Sequence, residues 1–137
     1  MTDLRITDLE QLIARLEAAS KGSRDLDRAI HLVVFADFIK ERGMTEEGNG
    51  WRDPEFGAIA PPQDYTTSID AALTLVPPIW RVYAIQEQYV DPPNLWFVGL
   101  DRRREHRESM IGKAPTPAKA PTPALALCIA ALKARMK

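Results

Sequence analysis

The chain is short of the residues that carry most chemistry. It has one cysteine, Cys128, and two histidines, His31 and His106, among 137 residues. A lone cysteine cannot close an internal disulfide, so nothing points to an oxidising compartment. Two histidines and one cysteine without close spacing make no zinc motif. No GxGxxG, GxxxxGKS/T or GxSxG is present, so no phosphate cradle or nucleophile elbow is expected. No apolar run approaches the roughly 20 residues that span a bilayer. The opening MTDLRITDLEQ carries acids early and lacks an apolar core, so it is not expected to act as a secretory signal. These absences lead to an expectation of a soluble cytoplasmic protein that is not an enzyme and holds no metal or cofactor.

What is present fits one domain spanning 1–137. Apolar residues make up 45% and charged residues 27%, ordinary values for a chain that folds. Proline is frequent at 11 residues, which predicts long irregular connections. Residues 1–70 hold 8 basic and 14 acidic side chains, and 71–137 hold 10 and 5. The halves therefore carry −6 and +5 within a net charge of −1. They either neutralise each other across the fold or leave the second half suited to an acidic partner.

Along the chain, Thr7 and Glu10 have capping-box spacing. Leu9, Leu12, Ile13 and Leu16 then form a stripe at helical period, and Gly22 is a natural stop. Ser23 is the expected N-cap of a second helix, with Leu26, Ile30, Val33, Val34 and Phe38 on its apolar face and Gly43 ending it. Residues 43–65 read as an irregular loop rich in Gly and Pro. Its Trp51, Phe56 and Ile59 either pack back on the domain or mark a recognition loop. Its carboxylates, Glu46, Glu47, Asp53, Glu55 and Asp64, match no calcium-loop spacing. Thr67 and Asp70 open a third helix that stops before Pro77. In Trp80–Tyr89, Trp80, Val82 and Ala84 alternate with Arg81, Tyr83 and Ile85, as in a strand. Leu95–Leu100 is a second strand, and 91–94 a turn, so the pair reads as an antiparallel hairpin. Residues 108–113 are a candidate third strand.

The repeat APTPAK, APTPA over 114–124 predicts an extended linker across 114–121. Its second copy leads into the clearest helix, with Thr122 as N-cap and Pro123 at N1. There Leu125, Cys128, Ile129, Leu132 and Met136 make the buried stripe, and cations crowd the last turn. The expected fold is α+β: a small antiparallel sheet packed between N-terminal helices and a C-terminal helix, in α-β-α layers.

Three stretches, LEQLIARLEAASKGSRDLDRAI from Leu9, YTTSIDAALTLVPPIW from Tyr65 and APTPALALCIAALKARMK from Ala120, together resemble the phage ABA sandwich domain family. The resemblance implies a layered α–β–α fold and a phage or prophage setting. It implies no activity and no catalytic residues. The doubled APTPA unit departs from the family pattern.

Two kinds of partner remain. Small phage accessory proteins can act by occupying the surface of a host or phage protein, and Trp51, Phe56 and Trp96 are the candidate anchors. The alternative is nucleic acid, held by Arg102, Arg103, Arg104 and Arg107 at the hairpin end. The order of elements from residue 67 is similar to that of a double-stranded-RNA-binding domain. Such domains carry lysines where this chain reads Thr122-Pro-Ala-Leu-Ala-Leu127. Exposed strand edges leave self-association open. His31 reads as a satisfied, partly buried histidine, and Cys128 as a small hydrophobe.

Overall fold

The computed structural model describes residues 2–47, 50–55, 59–60, 62–88, 95–102 and 117–136. In chain order the elements are α1 (Thr2–Ala18), α2 (Arg24–Val34), α3 (Ala36–Glu41), β1 (Thr45–Glu47), β2 (Gly50–Arg52), β3 (Ile59–Ala60), α4 (Ile69–Leu73), β4 (Trp80–Gln88), β5 (Leu95–Arg102), β6 (Ala118–Ala120) and α5 (Pro123–Arg135). The strands form two antiparallel sheets, β1-β2-β3 and β4-β5-β6.

The fold is α+β with helices packed on the sheet, as expected, and the contacts give the order of the layers. Helix α5 touches all three strands of the second sheet and also packs on α1 and α4. It therefore lies between the sheet and those helices. The reason is the composition of α5. Besides the expected stripe, Ala124, Ala126, Leu127, Ala130, Ala131 and Ala134 are buried. A helix apolar all round can be covered on both sides, and its alanines let neighbouring elements approach closely.

Local signals place the helix starts. Ser23 accepts a hydrogen bond from Leu26 N–H at 3.2 Å, and Thr122 accepts one from Leu125 N–H at 3.2 Å, with Pro123 beginning α5. Such caps satisfy backbone donors that the helix cannot. The third cap falls one residue later than expected. A turn in which the Thr67 and Ser68 N–H groups both donate to Asp64 O occupies Thr67. Ser68 then caps α4 through Ala71 N–H. The Thr7–Glu10 box is not a start, because no Gly or Pro interrupts residues 2–18 and α1 runs through it.

Gly22 is not the C-cap either. A Cβ there would meet Thr66 O at 2.3 Å, so the turn between α1 and α2 approaches the backbone before α4 too closely for a side chain. Asp27 completes this junction. Its Oδ1 accepts from Thr66 N–H at 2.8 Å and Thr66 Oγ1–H at 2.6 Å, while Ser23 N–H donates to Thr66 Oγ1 at 2.9 Å.

Further corrections concern the middle of the chain. Helix α2 breaks at Phe35, so Phe38 lies on the separate α3 and is 51% exposed instead of joining the stripe. Gly43, at φ +63°, follows α3. Residues 45–60, expected to be irregular, contribute the three strands of the first sheet. The third strand of the second sheet is β6, which lies inside the expected linker 114–121. The candidate strand 108–113 and the turn 91–94 lie outside the described residues.

Candidate interaction face

The second sheet has an inner face on α5 and an outer face away from it. In β5, Val98 and Leu100 are buried and Trp96 packs against the core, leaving Phe97, Gly99 and Asp101 on the outer face. In β4, the alternation expected from sequence holds only as far as Val82. A bulge between Val82 and Ala84 shifts the phase. Ile85, expected on the outer side, pairs with buried Val98 and packs on the core, and Ala84 pairs with Gly99. An extra residue in one strand re-aims its side chains in this way.

The extra residue is Tyr83, which stays on the outer side. It is 56% exposed, the most exposed large apolar side chain among those described. Its ring lies across Gly99: a Cβ at Gly99 would sit 2.4 Å from Tyr83 Cζ. The glycine thus supplies a seat that holds an exposed aromatic on a strand, where the backbone is rigid. Around Tyr83 lie half-buried Phe97, exposed Lys119 on β6, and the cross-strand pair Arg81–Asp101 at 3.6 Å. Arg102 ends β5, paired with Trp80.

The anchors read from sequence are placed differently. Trp51 is 2% exposed and buried beneath the first sheet. One side of its ring stacks on His31 at 4.6 Å between centroids, and the Arg28 guanidinium lies 5.3 Å from it. Arg28 also pairs with Glu46. Trp51 is therefore a packing residue that ties the first sheet to α2. Trp96 is half-buried and turned toward the core, opposite Ala120. Phe56, Arg103, Arg104 and Arg107 lie outside the described residues. Tyr83 is not among the anchors read from sequence, which are two tryptophans and a phenylalanine. The signal available was Tyr on the polar side of a strand.

Groups capable of chemistry are held quiet. Cys128 Sγ–H donates to Tyr65 O at 3.1 Å. Burial, with help from the Asp27 carboxylate, pushes its pKa up to about 12, far from a reactive thiolate. Tyr65, with its hydroxyl 3.3 Å from His31 Nδ1, is likewise pushed up to about 12 by burial and then by Asp27. Burial lowers the His31 pKa, favouring the neutral ring. Four of the loop carboxylates pair with arginines, among them Glu46 with Arg28. Asp53 and Glu55 meet Arg42 at 2.7 and 3.4 Å, and Asp64 meets Arg24 at 3.6 Å. Among the described residues, no group of three His, Cys, Asp or Glu side chains is placed to hold a metal ion. No described helix is long and apolar enough to cross a membrane. No family model, no curated protein and no solved structure matches the chain.

Proposed function

We propose that the chain is a non-catalytic accessory protein of phage or prophage origin. It works in the cytoplasm of a bacterial host by binding another protein, as an inhibitor or adaptor does. The outer face of β4-β5-β6 is its contact surface. The observation that carries this reading is Tyr83, half out of the fold yet seated on Gly99. Tyrosine is enriched among the residues that dominate binding energy, because a stiff amphipathic ring loses little entropy on docking. The surroundings support a protein partner more than a phosphate backbone. Arg81 is already paired with Asp101, which leaves Lys119 as the unneutralised cation of that face among the described residues. The resemblance of the three quoted stretches to the phage family supports the setting.

The test is an affinity pull-down from bacterial host lysate, with and without nuclease, using wild type, Tyr83→Ala, Phe38→Ala and Arg103→Glu. Calorimetry on the captured protein follows. One protein retained after nuclease, bound at least about tenfold more weakly by Tyr83→Ala and unchanged by Phe38→Ala, supports the reading. Recovery of nucleic acid alone, lost with Arg103→Glu and steeply salt-dependent, overturns it in favour of the arginine run. A partner indifferent to Tyr83→Ala removes the proposed face.

A further inference from the structure

A groove of about 300 Å³ lies at the C-terminal end of α5, between α1, the last turn of α2 and the segment that enters β4. Leu9, Val33, Val34, Ile79 and Trp80 line it, all apolar, and Arg135 is the one charged residue there. Arg135 Nε–H donates to Leu75 O at 3.0 Å, which occupies one of five guanidinium donors. Lys133, two residues earlier, is paired with Glu17 at 3.3 Å. Arg135 meets no carboxylate among the described residues.

Arg135 is an exposed residue at the edge of this groove, held by its hydrogen bond to Leu75 O, and its charge sits at the C-terminal end of α5. Its planar fork fits a carboxylate with two parallel hydrogen bonds. Leu9, Val33, Val34 and Ile79 give the groove one apolar wall beside a polar edge, and the volume lies at the lower end of small-molecule sites, about 300–1,000 Å³. We propose that this groove binds a small amphipathic carboxylate, its head on the Nη edge of Arg135 and its alkyl chain along Val33, Val34 and Ile79. This site is separate from the Tyr83 face and stands whether or not that face binds protein.

Octanoate is the probe, with acetate and octanol as its halves, followed by amide and methyl NMR shifts of the full chain. Octanoate should give saturable shifts at Val33, Val34 and Ala134, and acetate and octanol should bind at least about tenfold more weakly. Arg135→Gln should weaken octanoate by roughly ten- to hundredfold, the range for losing a charged hydrogen-bond partner. Val33→Phe, which fills the groove and leaves Arg135 in place, should weaken octanoate at least tenfold; it decides the matter if Arg135→Gln does not fold. Octanol binding as tightly as octanoate, a folded Arg135→Gln that binds undiminished, or no saturable shift below about 10 mM octanoate overturns the proposal.

Discussion

Replacing Leu127 by Ala separates a helix buried on one stripe from one enclosed on both sides. On the periodic stripe Leu125-Cys128-Ile129-Leu132, Leu127 falls off the buried face, and its truncation would cost little. In the structure Leu127 is fully buried, as Leu125 is. Truncating a buried leucine costs about 2–5 kcal/mol, the lost transfer energy plus the cavity left behind. For 137 residues, at about 2.1 cal/mol/K of unfolding entropy per residue, each kcal/mol lowers Tm by about 3–4 °C. Leu127→Ala should therefore lower Tm by roughly 7–17 °C, close to the effect of Leu125→Ala. The control is Leu73→Ala, since Leu73 is 42% exposed on α4 and its truncation should cost only about 0.5 kcal/mol. Calorimetry, checked by urea unfolding, reads all three. A Leu127→Ala shift as small as that of Leu73→Ala would refute the placement of α5 between the sheet and α1 and α4.

Other outcomes follow from the same interior. Asp27→Ala removes the acceptor of the Thr66 N–H, the Thr66 hydroxyl keeping Ser23 O at 3.2 Å, and should cost about 1–3 kcal/mol in urea unfolding, whereas Asp27→Asn, which keeps an acceptor oxygen, should cost less. Because the folded pKa of His31 is lowered from 6.5, the unfolded chain takes up this proton first. The His31 contribution to stability is thus lost as pH falls below about 6.5 toward the folded pKa. His31→Gln should flatten that part of the curve, and an unchanged slope between about pH 6.5 and 5 would count against the stacked, neutral ring. Cys128, with its pKa near 12, should resist alkylation at about pH 8 in the native protein and react fully in denaturant; rapid native labelling would show that the thiol is accessible.

The features legible in the sequence are those settled by neighbours along the chain. Ser23, Thr122 and Pro123 begin their helices because a cap is a hydrogen bond across three residues. The stripe of α1 and the cores of β4 and β5 follow from side-chain period, which depends on backbone geometry alone. The tertiary structure decided whatever depends on residues far apart. Alanines on α5 read as neutral until it is clear that elements cover them from both sides. The bulge that turns Ile85 inward depends on pairing with β5, and Gly99 acquires its role only when the Tyr83 ring lies over it. Trp51 looked like an anchor because its loop showed no period, but β1 and β3 pair on either side of its strand and His31 of α2 stacks on its ring. Arg135 read as a cation at a helix end. The groove that makes it a candidate binding residue is built from three other parts of the chain. Local hydrogen bonds and period are encoded within a few residues, whereas burial on a second side is a property of what packs there.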